Sequence, residues 1–334
     1  MASGRYNLPL ATCTLSLSMD LEKEVLRAAL RLKGNVRQTR LEHSPYFSQL
    51  IGGNVYFKLE NLQVTGSFKA RGAMNKLLSL SPEQRPLGAV AASSGNHGAA
   101  VSYGLNRLGM AGTVFVPEIA SPVKVDAIRS YGADVGFHGH DSGVTEIFAR
   151  QYAADNDMVY VSPYNDPLVV AGQGTIGLEI ANELDSVDAV FVSLGGGGLI
   201  SGIAGYLKAV QPDVQMIACS PDHSKVMAKS VAAGEILDLE SLPTLSDGTA
   251  GGVEPGAITF DLCSQLLDAF PIVSEVEIAS AMRLFMEKHH MLIEGAAGVA
   301  IAAFLQRMEQ LKGKTAVIVI CGANIGLDTL KSVL

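Results

Sequence analysis

The chain has 334 residues, 48% hydrophobic and 17% charged, so it carries ample apolar material for a core and lies far from the composition of a disordered chain. A formal net charge of −8 gives no global attraction for nucleic acid or anionic lipid. No apolar run approaches the ~20 residues of a membrane span, and the first 20 residues lack a signal-peptide pattern. Four cysteines, Cys13, Cys219, Cys263 and Cys321, form no C-x-x-C pair, which disfavours zinc and redox motifs. The expectation is a cytoplasmic protein with reduced thiols and no nucleic-acid, membrane or metal partner.

Strand-like runs fall at 55–59, 89–92, 112–116, 134–137, 189–193, 215–220 and 316–321. Helical patterns fall at 72–80, 97–108, 122–131, 144–155, 172–182, 199–210 and 277–288. This alternation predicts an α/β fold, with parallel strands covered by helices on both faces. Right-handed crossovers then gather functional loops at the carboxyl ends of the strands. No Pro/Ser linker divides the chain, so two domains would be interleaved. The segment 87–160 reads as a small mobile domain, with 1–86 and 161–334 forming the large one.

Three loops carry the chemistry. The first is Thr65-Gly66-Ser67-Phe68-Lys69-Ala70-Arg71-Gly72, after a strand and opening a helix. By itself it reads equally as a turn with a surface lysine. The positive end of a helix dipole also disfavours an ammonium, however, and a neutral amine is what carbonyl chemistry needs. The second is Ser93-Ser94-Gly95-Asn96-His97-Gly98, with four polar side chains in five positions at a strand end. It reads as a capped helix start or as a cradle for a carboxylate. The third is Gly195-Gly196-Gly197-Gly198-Leu199, which lets the backbone wrap an anion at a helix N-terminus. Ile200 breaks the dinucleotide pattern G-x-G-x-x-G, and no Walker loop or nucleophile elbow is present.

Together and in this order, these motifs resemble the fold-type II pyridoxal-phosphate (PLP) enzymes. The resemblance is closest to the threonine/serine dehydratase and serine racemase family and spans about 27–334. It implies two interleaved, doubly wound lobes of the tryptophan synthase β-like kind, usually in a homodimer. It also implies PLP as cofactor, with Lys69 forming the Schiff base and Phe68 packed on the ring. Asn96 would contact the phenolic oxygen, Gly195, Gly196, Gly197, Gly198 and Leu199 would hold the phosphate, and Glu294 would lie near the cofactor. Cys321 would face the pyridine nitrogen, and Ser93, Ser94, Asn96 and His97 would bind the carboxylate of a small amino acid substrate. Ser94 matches the second acid/base of serine racemases.

A thiol is too weak an acid to hold the ring nitrogen protonated. That favours prompt loss of a β-hydroxyl over slow chemistry at Cα. The expected activity is α,β-elimination from a β-hydroxy amino acid to a 2-oxo acid and ammonia, with Lys69 as base. The alternatives are an amino acid racemase using Lys69 and Ser94 on opposite faces, or a non-catalytic PLP-binding protein. Other positions stay open. Glu294 reads equally as a helix cap, and His290 with Glu294 has helical spacing but too few ligands for a metal. Ser220 stands where metal-activated relatives carry Glu, which puts that cation site in doubt. Asp247-Gly248-Thr249 looks like a family loop near the active site, and from composition alone reads equally as a plain turn. The run Gly251-Gly252-Val253-Glu254-Pro255-Gly256 resembles a subgroup that includes dehydratases of hydroxyectoine utilisation. Leu334 follows soon after Cys321, so no fused regulatory domain is expected.

Overall fold

In the computed structural model the described residues are 20–334. Cys13 and most of the stretch inspected for a signal pattern lie outside them. Among the described residues, ten strands form two sheets. They are β1 (Leu41–His43), β2 (Asn54–Leu59), β3 (Ala89–Ala92), β4 (Gly112–Val116), β5 (Asp134–Phe137), β6 (Val159–Tyr160), β7 (Ala189–Ser193), β8 (Gln215–Pro221), β9 (Ile272–Val273) and β10 (Thr315–Ile320). The first sheet has the order β1-β2-β10-β7-β8-β9 and the second β5-β4-β3-β6. All neighbours pair in parallel except β1, which runs antiparallel to β2 with Glu42 opposite Phe57.

The patterns explain this. β7 is buried at every position and β10 at every position after Thr315, as expected for strands covered on both faces. Their carboxyl ends deliver Leu194 and Cys321 side by side, each leading into a functional loop. The helix Pro167–Glu183 runs behind the Lys69–Leu78 helix, and two glycines let the backbones touch: a Cβ on Gly172 would sit 2.7 Å from the Gly72 Cα. The smaller sheet is built wholly from residues between Ala89 and Tyr160 and has its own apolar cluster around Val114 and Ile128.

Some elements differ from the sequence expectation. The Lys69–Leu78 helix starts three residues earlier than the predicted 72. β1, β6 and β9 were not anticipated, because two or three residues carry no readable period. The helix Gly295–Gln306 is apolar around its whole circumference and buried from Gly295 to Phe304, so it lacks the amphipathic signature of a surface helix.

One charged network fixes the Lys69 helix. Arg71 is buried and donates from Nε and Nη2 to the two Glu60 oxygens, at 2.8 Å each. Its Nη1 donates to Glu179 at 2.6 Å, and Lys58 donates to the same carboxylate at 2.6 Å. Two cations thus face two anions, and the Glu60 carboxyl is held below the usual range, the Arg71 guanidinium overcoming the cost of burial. Removing one partner leaves an uncompensated buried charge. Arg71→Ala is therefore expected to destabilise the fold by about 3–5 kcal/mol, and Arg71→Lys to recover only part, because an ammonium cannot reproduce the fork. Denaturant midpoints check this.

Candidate active site

The loop before Lys69 is pinned to the end of β10. The Phe68 N–H donates to the Cys321 carbonyl at 3.0 Å, and the Ala323 N–H to the Gly66 carbonyl at 2.9 Å. Lys69 is the first residue of its helix and is partly buried. Its Nζ donates to the Pro163 carbonyl at 2.7 Å and lies 5.2 Å from the Phe68 ring centroid. Loss of solvation pushes the amine down from 10.5 to about 8, opposed by Cys321 and Glu294. At pH 7 roughly one Lys69 in ten is then neutral, against a few in ten thousand for a free lysine.

Gly195 to Gly198 turn from β7 into the helix Gly198–Val210. Gly197 has φ +84°, and a Cβ on Gly196 would lie 2.5 Å from the Tyr164 ring. Thr249 backs Gly195, and Cys263 backs Gly197. The loop therefore admits no side chains. Among the described residues, no hydrogen bond takes up the N–H groups of Gly195, Gly196 or Gly197. Free N–H groups at a helix N-terminus are an anion site, and a phosphate monoester fits it.

A second such site lies at the helix Asn96–Leu108. Gly95 occupies the N-cap without a side-chain hydrogen bond, so neither Ser94 nor Asn96 caps the helix. Ser93 Oγ accepts from the Gly95 N–H at 3.1 Å. Among the described residues the N–H groups of Asn96, His97 and Gly98 also have no partner. The His97 side chain is not in this cradle. It is 3% exposed and its Nε2–H donates to the Val161 carbonyl at 2.8 Å, with its pKa pushed down to about 3 by burial and then by Lys69. Its backbone N–H is what it presents at the helix start.

Glu294 joins the elements. It is 3% exposed, and both its oxygens accept from Asn96 Nδ2, at 3.0 and 2.9 Å. Burial raises it to about 7. It makes no side-chain cap bond to its own helix, so the capping reading does not hold. Cys321 at the end of β10 is 1% exposed, accepts from Ser193 Oγ at 3.5 Å and donates to Glu294 Oε1 at 3.7 Å. Burial pushes its thiol well above the usual value, so it is neutral.

The structure separates other residues. His290 ends one helix in the left-handed region and Glu294 begins the next, so they do not share the helical face the spacing suggested. Ser220 is buried and, among the described residues, its hydroxyl has no partner. Asp247 reaches Lys124 at 3.1 Å, and Glu254 reaches Arg150 at 2.7 Å; both pairs join the loops 247–249 and 251–256 to residues of the 89–160 segment. Sequence reasoning missed Pro163, whose carbonyl holds Lys69, Tyr164, which backs the glycine loop, and Asn324, which touches Asn96.

An amine of lowered basicity beside an aromatic ring and under the influence of a neutral thiol, together with two anion cradles, fits a phosphorylated aldehyde cofactor. The chain matches the family described as pyridoxal-phosphate dependent enzyme over residues 32–322, and it belongs to that family. It is 39% identical over 312 residues to the L-threonine ammonia-lyase of Thermotoga maritima, covering 93% of this chain and 77% of that one. The processed form of threonine deaminase isoform 2 from Solanum lycopersicum superposes with a TM-score of 0.90 at 31% identity, covering 95% of this chain and 93% of that one. Maize serine racemase superposes with a TM-score of 0.88 at 29% identity, covering 93% and 95%. The fold is thus that of the fold-type II enzymes, and the cofactor is PLP. Among the described residues no helix is long and apolar enough to cross a membrane.

Condensation with an aldehyde needs the neutral amine, which is present above the amine's pKa. The rate at which apoprotein takes up PLP should therefore rise with pH through about 8 and then level. A midpoint near that of a free lysine would show that the enclosure of Lys69 does not set its basicity. Absorbance or fluorescence reconstitution kinetics across pH measure this.

Proposed function

We propose that the protein is an ammonia-lyase for small β-hydroxy amino acids, L-threonine and L-serine foremost, producing a 2-oxo acid and ammonia. The observation that carries this reading is the neutral Cys321 thiol at the end of β10, between Ser193 and Glu294. The ammonia-lyase and deaminase likenesses support it.

Bound at Lys69, PLP supplies an electron sink for the charge that develops at Cα. The chain supplies the rest. Lys69 is the covalent anchor and the base that takes the Cα proton. The N–H groups of Gly195 to Gly198 and Leu199 would hold the cofactor's phosphate, and Phe68 would pack on the cofactor. The N–H groups at the Asn96 helix start, with Ser93 and Ser94, would hold the substrate carboxylate, and Asn96 would also contact the cofactor. The Cys321 thiol is too weak an acid to enforce protonation of a cofactor ring, so the charge left at Cα when Lys69 takes the proton would be discharged by losing the β-hydroxyl, protonated and leaving as water, rather than held.

The 87–160 segment acts as the small mobile domain against 1–86 and 161–334. The Lys124–Asp247 and Arg150–Glu254 pairs support this, since they cross between the two at exposed or half-buried positions. The unpaired, buried Cys219, Cys263 and Cys321 support a cytoplasmic location. A homodimer follows from the family resemblance alone.

A racemase is the second reading, favoured by Ser94 in the substrate loop and by the likeness to maize serine racemase. Incubation with L-threonine and L-serine decides between them. The account expects stoichiometric 2-oxo acid and ammonia, with the remaining substrate still predominantly L. Racemised substrate without oxo acid would reverse the assignment.

A further inference from the structure

Asn324 follows the Cys321 loop and is exposed at the edge of the site. Its Nδ2 donates to the Thr65 carbonyl at 2.9 Å and to Asn96 Oδ1 at 2.6 Å. Its backbone N–H donates to Glu294 Oε2 at 3.2 Å. A backbone carbonyl can only accept. Thr65 therefore fixes which end of the Asn324 amide faces inward, and that fixes the next amide. Asn96 must offer Oδ1 to Asn324, which turns its Nδ2 to Glu294. Two glycines make room for this chain of bonds. A Cβ on Gly66, which has φ +73°, would lie 2.6 Å from Asn324 Oδ1, and one on Gly322 would lie 2.6 Å from Glu294 Oε1.

We propose that Asn324 is a positioning residue: with Glu294 it holds the Asn96 amide in one orientation and latches the substrate loop Ser93–His97 to the Lys69 and Cys321 loops. The latch is directional. Thr65, Asn324 and Glu294 come from the large-sheet part of the chain, whereas Asn96 starts the first helix of the 89–160 segment. A flipped Asn96 would set Nδ2 against the Asn324 donor, which is repulsive, and Oδ1 against Glu294, which is repulsive only while that carboxyl is ionised. Glu294 raised to about 7 is partly protonated at neutrality and can serve either orientation, so the choice falls to Asn324. The substrate part of this inference rests on the proposed use of the Ser93–His97 loop.

A double-mutant cycle tests it, using Asn324→Ala, Asn96→Ala and the double variant, each loaded with PLP. L-Alanine has no β-leaving group, so its absorbance titration reads binding without turnover. Asn324→Ala should weaken L-alanine about threefold to tenfold, the worth of one partly exposed hydrogen bond. In the Asn96→Ala background the same change should have almost no effect, and thermal midpoints should show the same non-additivity. Asn324→Asp, equal in shape but unable to donate to Thr65 or Asn96, should be at least as damaging as Asn324→Ala. Multiplying affinity losses with additive thermal losses, or an innocuous Asn324→Asp, overturns the latch. If the unaltered protein neither responds to L-alanine nor releases oxo acid, the proposed function fails instead, and the thermal cycle alone decides the latch.

Discussion

The site depends on making one lysine easy to discharge in a place built to attract anions. A carboxylate paired with Lys69 would hold it as an ammonium, so its hydrogen bond goes to the Pro163 carbonyl instead. The carboxyl that acts on it, Glu294, is itself buried, raised to about 7 and bonded by Asn96. In the proposed reading, positive field for the phosphate and carboxylate comes from helix N-termini rather than from side-chain cations. That is why the glycine loop and the Gly95 cap carry no functional side chain. Two backbone cradles hold charge without titrating, and the one titrating amine is tuned by enclosure.

Rigidity around that amine comes from a different source. Two residues after Lys69, Arg71 is buried between Glu60 and Glu179. Among the described residues this network leaves Lys69 free of any ion pair. Its bonds reach the segment after β2 and the helix Pro167–Glu183, so the Lys69 loop is held from both sides.

Much of this was legible in sequence because it is local. β7 followed by four glycines, and β3 followed by Ser93 to Gly98, are strand–turn–helix units whose chemistry is written in consecutive residues. The Lys69 loop is of the same kind. The remainder is single residues brought together from afar. Asn324 meets Asn96 across 228 positions and Pro163 meets Lys69 across 94. No local pattern marks a carbonyl as the partner of a lysine. His97 stands in the polar loop, yet strand-end geometry turns its ring to Val161, because side-chain direction at a helix start is set by backbone path. Glu294 opens a helix with no polar face, so its role was hidden behind an equally plausible cap.

The central claim is that Lys69, and no other amine, is the reactive group. Borohydride reduction of the PLP-loaded protein, followed by proteolysis and mass spectrometry, tests this most directly. A phosphopyridoxyl label is expected on the peptide containing Lys69 alone. A label on any other lysine, or stoichiometric PLP with no label on Lys69, would contradict it.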